Sequence, residues 1–101
     1  MPYVYILTCA DGSLYTGSCR GDPLIRADQH NTGVLQEAYT AKRRPVQLCF
    51  AAEFDNIGEA VEMEYRIKRW SRAKKQALID GEYHRLPELA RKRNFRRADD
   101  A

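Results

Sequence analysis

No stretch of this chain approaches the roughly 20 apolar residues that a bilayer-spanning helix needs. The N-terminus lacks the basic start of a signal peptide. Met1 through Leu7 carries no charged side chain, and Thr8 and Asp11 cut its apolar stretch short, so the expected location is the cytoplasm. Cysteine is sparse: Cys9, Cys19 and Cys49 are odd in number and share no CxxC spacing, and the two histidines stand far apart at 30 and 84. That pattern argues against a zinc cage, and the thiols read as reduced, small apolar residues. Internal repeats, linkers and low-complexity runs are also missing. The 101 residues therefore read as one domain, with a core over about residues 2–80 and a helical tail over 81–101. So short a chain buries only a modest core.

The apolar fraction of 44% is ordinary, and the charged fraction of 31% is somewhat high. Net charge is only +3, but it is unevenly spread. Lys42, Arg43 and Arg44 form one basic cluster; Arg66, Lys68, Arg69, Arg72, Lys74 and Lys75 a second; Arg91, Lys92, Arg93, Arg96 and Arg97 a third. Such clusters attract polyanions by releasing counterions from phosphate backbones. The plain alternative for any one of them is a solvated helix face.

Tyr3 to Cys9 is aromatic and β-branched without a breaker, and reads as a strand. Asp11-Gly12 turns it, and Ser13 to Ser18 reads as its antiparallel partner. Two registers are open. A two-residue Asp11-Gly12 loop pairs Leu7 with Thr16 and sends Tyr5 and Tyr15 to opposite faces. A three-residue Ala10-Asp11-Gly12 loop, with Gly12 left-handed, pairs Leu7 with Tyr15 and Tyr5 with Gly17, and puts both tyrosines on one face.

Asp22-Pro23 predicts a helix start, Gly33 its end, and Arg26 and His30 share a face at a spacing of four. Val34 to Arg44 reads as a polar loop with at most a short helical turn. Pro45 opens a third strand over Val46–Ala51, in which Val46, Leu48 and Phe50 alternate. Asp55 or Asn56 caps the next helix, and Asn56 with Glu59 has capping-box spacing. Ala60, Met63, Ile67 and Trp70 form its buried stripe. Ser71 caps a further segment over Arg72–Asp80, ended by Gly81. Pro87-Glu88-Leu89-Ala90 starts a short helix expected to fray through Arg96 and Arg97. The order β-β-α-β-α-α predicts an α+β fold, a small antiparallel sheet with helices packed against it.

Phosphodiester hydrolysis needs a base for water, cations on the phosphate and usually a divalent metal. One or two carboxylates hold a magnesium ion whose remaining ligands are water, and arginine offers a rigid fork to phosphate oxygens. The candidates are Tyr5, Tyr15, Arg26, His30 and Glu64. Glu64 borders the apolar stripe, whereas Glu59 and Glu62 look like surface charge. Each candidate also has a plain reading: strand tyrosines pack, helix arginines and histidines face solvent, and Glu64 has Lys68 as an i,i+4 partner.

Taken in order, the pieces resemble the GIY-YIG nuclease superfamily. The resemblance runs over about residues 2–80: Tyr3-Val4-Tyr5-Ile6-Leu7, Asp11 through Gly17, Arg26 with His30-Asn31-Thr32-Gly33, Tyr39-Thr40, Arg43-Arg44-Pro45-Val46, Glu64 with Ile67-Lys68, and Trp70 through Lys75. It is most similar to the short stand-alone bacterial subfamily, itself similar to the nuclease subunit of the eukaryotic Slx structure-selective complex. The resemblance implies a three-stranded antiparallel sheet flanked by helices. It implies a metal-dependent endonuclease acting on DNA, branched or nicked forms included, in repair or recombination. Tyr5 and Tyr15 would be the signature tyrosines, one of them activating water. Gly17 would leave room near the scissile phosphate, Arg26 would stabilise it, and His30 would assist in positioning. Glu64 would hold one Mg2+ or Mn2+ ion. Lys42, Arg43, Arg44, Lys68, Arg72 and Lys74 are the expected contacts to substrate.

Three departures stand out. The first signature reads Val-Tyr-Ile behind Tyr3 rather than Gly-Ile-Tyr. Gly21 lengthens the segment before Arg26 by one residue, so Arg26 keeps its place only if the extra residue precedes the helix. Gln76 stands in the region where some members carry asparagine, and no role is assigned to it. The absence of an appended DNA-binding module suggests weak intrinsic activity or a protein partner. The alternative function is a non-catalytic module of the same fold that holds nucleic acid or a partner.

Overall fold

The computed structural model describes residues 1–34, 38–82, 86 and 96–97. Tyr3–Thr8 (β1) and Leu14–Cys19 (β2) form an antiparallel hairpin. Its turn has three residues: Cys9 N donates to Ser13 O at 2.8 Å, Gly12 N donates to Cys9 O at 2.9 Å, and Gly12 takes a φ of 85°. That φ strains any residue with a β-carbon. Asp11 Oδ1 accepts from Ser13 Oγ (2.6 Å) and Ser13 N (3.0 Å), and these bonds hold its carboxyl below the usual range. The odd-length turn sets Leu7 opposite Tyr15 and Tyr5 opposite Gly17. Of the two registers open to the sequence, this one puts both tyrosines on one face.

Gln47–Glu53 (β3) pairs with the other edge of β1, antiparallel, so β1 lies in the middle of the sheet. Its residues Val4 to Leu7 are buried on both faces, which accounts for an unbroken apolar run where a half-exposed strand would alternate. Val4 and Ile6 pack with Phe50, Ala52 and Phe54 against Ala60, Met63 and Ile67, and against Ala77 and Leu78. Tyr5 and Leu7 pack on the opposite face with Val46, Ala51 and Ala27. The first cluster is covered by Ile57–Lys68 (α3) and Arg72–Ile79 (α4), the second by Pro23–Thr32 (α1).

One strand pattern misleads. The register shifts between Ile6 and Leu7, where Ile6 faces Phe50 but Leu7 faces Leu48, so Cys49 has no residue opposite. This bulge splits the alternation of Val46, Leu48 and Phe50. Phe50 joins the α3–α4 side, while Val46 and Leu48 join the α1 side, because an extra residue re-aims the strand beyond it.

The helix ends follow the capping chemistry. Asp22 Oδ1 accepts from Leu24 N (2.9 Å), Pro23 fills the first helical position, and Gly33 closes α1 at φ 82°. Asn56 Oδ1 accepts from Glu59 N (2.9 Å), while Asn56 Nδ2 donates to Glu59 Oε1 (3.2 Å). Ser71 Oγ accepts from Lys74 N at 3.2 Å. The expected loop after α1 contains a single helical turn, Ala38–Ala41 (α2).

The expected C-terminal helix at 87–90 and the basic residues Arg91, Lys92 and Arg93 lie outside the described residues. Arg96–Arg97, expected as a fraying helix end, form instead a two-residue strand (β4) opposite Glu53 and Ala52. The edge of β3 presents unpaired backbone donors and acceptors there, and pairing satisfies them. No described helix is long and apolar enough to cross a membrane.

Thr16 Oγ1 is buried and has no hydrogen-bond partner among the described residues. Replacing an unsatisfied hydroxyl by a methyl group removes a desolvation penalty. Thr16→Val is therefore expected to be neutral or to stabilise by up to about 1 kcal/mol, read from urea unfolding midpoints.

Candidate active site

The shared face of the hairpin brings the two tyrosine rings to a centroid separation of 6.4 Å. α1 supplies His30 to the same place, because Pro23, Ala27 and His30 lie on its buried face. The Tyr5 hydroxyl is 3.1 Å from His30 Nε2, and His30 Nδ1 is 2.9 Å from Thr40 Oγ1. All three residues are 3% exposed or less. Tyr15 is half-buried, with the His30 ring edge-on at 5.2 Å and the Tyr39 ring at 5.8 Å. The turn α2 thus contributes two side chains, Tyr39 on Tyr15 and Thr40 on His30.

Gly17 is required by space. A β-carbon there would stand 2.5 Å from the Tyr5 hydroxyl and 2.6 Å from Cζ. The phenol of Tyr5 lies across the bare Cα opposite it, and this is how it reaches His30 near the β2 edge. Room at position 17 was expected to serve the phosphate; the Tyr5 ring uses it.

Burial pushes the Tyr5 hydroxyl well above the ordinary tyrosine range, with Tyr15 and Glu64 adding to the rise and Arg26 opposing it. Tyr5 therefore stays protonated at neutral pH. The two ring nitrogens of His30 are thus each engaged by a hydroxyl, Nε2 by Tyr5 and Nδ1 by Thr40. Arg26 is half-buried, four residues before His30, and its charge acts on both Tyr5 and Cys19. Gly21 lies ahead of α1, so the extra residue precedes the helix and the Arg26–His30 spacing is intact. Cys19 donates from Sγ to Gly21 O at 3.3 Å, and burial raises its thiol.

Glu64 approaches from the other side of the sheet. Ser18 follows Gly17 and points to the opposite face, where its Oγ donates to Glu64 Oε1 at 2.5 Å. Lys68 Nζ meets Glu64 Oε2 at 2.7 Å, and the Glu64 side chain is only 19% exposed. Tyr5 and Glu64 thus converge on β2, an edge strand among the described residues, from its two faces, and the Glu64 charge is felt at Tyr5. The donor set suits a hard, mostly hydrated divalent ion, which needs only one or two carboxylates. Among the described residues no group of three His, Cys, Asp or Glu could form a closed cage.

The basic candidates differ in position. Arg43 Nε bonds Asp11 Oδ2 at 3.0 Å while its guanidinium lies 4.2 Å from the Tyr39 ring centre. Arg44 Nε donates to Ala41 O and its Nη1 to Asn31 O. Both therefore brace the α2 region beside the tyrosines, and Lys42 between helix and strand is exposed. Lys68 is bound to Glu64. Arg72 is exposed on α4, and Lys74 lies 5.0 Å from the Trp70 ring centre, on the far side of the sheet from the tyrosines. Ser18 was not singled out from sequence, and Thr40 entered only within the Tyr39-Thr40 match, without a role. Neither belongs to a periodic pattern, and each acquires its partner only when distant elements meet.

Two outcomes are expected. Gly17→Ala forces the Tyr5 ring off its seat and lowers stability by about 1–3 kcal/mol, measured by chemical denaturation. Above pH 10, the ordinary tyrosine value of about 10, the unfolded chain releases the Tyr5 proton while the folded chain keeps it. Stability accordingly falls as pH rises there. Tyr5→Phe is expected to flatten that fall in thermal melts between pH 8 and 11.

Known proteins carry the same pattern. A family model described as the GIY-YIG catalytic domain matches residues 1–77. The UPF0213 protein SSP2268 of Staphylococcus saprophyticus is 49% identical over 77 residues, covering 76% of this chain and 92% of that protein. A UPF0213 protein of Staphylococcus aureus is 44% identical over the same length and coverage. The solution structure of the UPF0213 protein BH0048 from Bacillus halodurans is 41% identical, with a TM-score of 0.50 over 79% of this chain and 84% of that one. By its fold, its signature residues and these matches, the chain belongs to the GIY-YIG nuclease family, among its short UPF0213-type members.

Proposed function

We propose that this protein is a metal-dependent endonuclease that hydrolyses phosphodiester bonds in DNA. The observation that carries the proposal is the convergence on one edge strand of the Tyr5–His30–Thr40 chain with Tyr15 from one face and of Glu64 from the other. A proton-handling group and a carboxylate for a cation thereby meet at one edge strand.

The roles divide by exposure. Tyr5 is buried, protonated and committed to His30, so it positions the imidazole. Tyr15, half-buried where Tyr5 is buried, is the tyrosine that would activate water. In the reaction, Tyr15 first loses its hydroxyl proton to solvent; a water oxygen then bonds to phosphorus as the water's proton passes to the Tyr15 phenolate oxygen. The bond from phosphorus to the leaving sugar oxygen breaks, and that oxygen takes a proton from solvent. Arg26 pairs with the phosphate oxygens as charge grows on them. Glu64 would hold one divalent ion, Mg2+ or Mn2+, which supplies charge stabilisation at the phosphate when bound. Lys42, Arg43, Arg44, Lys68, Arg72 and Lys74 would bind the flanking backbone, and branched or nicked DNA fits an edge site with basic flanks. We take residues 1–101 as one GIY-YIG-like domain that acts in the cytoplasm, in repair or recombination, alone or with a protein partner.

The test is cleavage of plasmid and branched DNA with and without magnesium. Wild type is expected to cut only with the ion, Tyr15→Phe to lose about 10²–10⁴-fold in rate, and Glu64→Ala to lose activity while keeping its fold. A wild type that binds DNA with a salt-dependent affinity but never cuts it is a binding module of the same fold. Cleavage by Glu64→Ala at the wild-type rate removes the carboxylate from the mechanism.

A further inference from the structure

Both oxygens of Glu64 already have partners. Ser18 Oγ donates to Oε1 at 2.5 Å, and Lys68 Nζ stands 2.7 Å from Oε2. The two contacts differ in kind. Ser18 is neutral and comes from the strand, so it aims the carboxylate at the β2 edge and remains compatible with a cation on it. Lys68 brings a full positive charge to the place a cation would take. It is half-exposed on a long stem, while Glu64 is mostly covered.

Resting on the assignment of Glu64 as the metal ligand, we propose that Lys68 is the built-in counter-cation of Glu64, which competes with the divalent ion and yields the carboxylate when a substrate phosphate draws the lysine away. A monovalent ammonium and a divalent ion repel each other at contact distance, so the carboxylate holds one or the other well. The Lys68 stem can swing outward, because one end of the pair is solvated. A phosphate arriving at the β2 edge offers the ammonium a new partner. Its departure raises the affinity of Glu64 for the ion, and by linkage the ion raises the affinity for the phosphate by the same factor. The ion and the substrate then load together. The neighbouring Glu62–Arg66 pair, at 2.9 Å, has the same i,i+4 spacing on the outer, more exposed part of the helix. It serves as a control.

The experiment is a titration of the full chain with Mn2+ at low ionic strength, followed by electron paramagnetic resonance. Lys68→Met is expected to bind Mn2+ about threefold to tenfold more tightly than wild type, the size expected for removing one charge beside a divalent ion in a partly screened site. Arg66→Met, which frees Glu62 instead, is expected to leave that binding unchanged. Glu64→Gln is expected to abolish it in both the wild-type and the Lys68→Met backgrounds. Equal affinity in wild type and Lys68→Met, with loss in Glu64→Gln, overturns the role of Lys68 and leaves Glu64 as the ligand. Tightening by Arg66→Met as large as by Lys68→Met also overturns it, since the effect is then general charge. Mn2+ binding that survives Glu64→Gln refutes the ligand assignment, and the Lys68 role with it. Binding of a fluorescein-labelled duplex in Ca2+ and in EDTA reads the coupling. Ca2+ is expected to tighten wild type by a larger factor than Lys68→Met, and equal factors overturn the coupling.

Discussion

Opposite Tyr5, strand β2 carries no side chain, and the phenol lies in that gap. The arrangement depends on two things acting together. The three-residue turn closed by Cys9 and Ser13 brings residue 17 opposite residue 5. Glycine at 17 then leaves the volume in which the ring sits. A turn one residue shorter would send Tyr15 to the α3 side of the sheet and leave His30 facing Tyr5 alone. A side chain at 17 would displace the ring from His30. The hydroxyl, the imidazole and Thr40 are all buried, so each needs its partner. A misplaced ring leaves three polar groups to be satisfied elsewhere.

The rest of the fold serves this edge. β1 is covered on both sides, which fixes its height and twist between two helical layers. One layer presents α1 with Arg26 and His30, and the other presents α3 with Glu64. A single edge strand separates them, and at Gly17–Ser18 it is thin enough for groups on its two faces to act on each other. Tyr5 packs against Gly17 on one face, and Glu64 bonds Ser18, the next residue, on the other. The Arg43 side chain ties the hairpin turn to α2 through Asp11 and the Tyr39 ring. The piece that orients His30 is therefore anchored to the piece that sets the register.

Much of this was legible in the residues. Asp22, Asn56 and Ser71 are short polar side chains just ahead of helical patterns, and each caps its helix as local chemistry demands. The stripe of Ala60, Met63 and Ile67 needed only the period of the helix. The bulge at Cys49 was not legible. It is a property of how β3 meets β1, and no residue in the strand announces it. Nor was β4 at Arg96–Arg97, because a two-residue strand exists only where another edge receives it. The roles of Ser18 and of Thr40, which the sequence showed only within the Tyr39-Thr40 match, stayed invisible for the same reason. A threonine and a serine carry no pattern of their own, and their partners lie 10 and 46 residues away.

Local chemistry alone settles the caps, the helical stripes and the family signature, and it narrows the hairpin to two registers. Each depends on interactions within a few residues, or on a periodicity that any folded context would respect. Tertiary packing chooses between the registers, since only one lets β1 bury its apolar run while Tyr5 meets Gly17. It also decides that the tyrosines and Glu64 approach β2 from opposite faces, that Tyr5 is too deeply buried to ionise, and that Lys68 sits on the carboxylate. These depend on which distant groups share a small desolvated volume, and that is a property of the assembled layers.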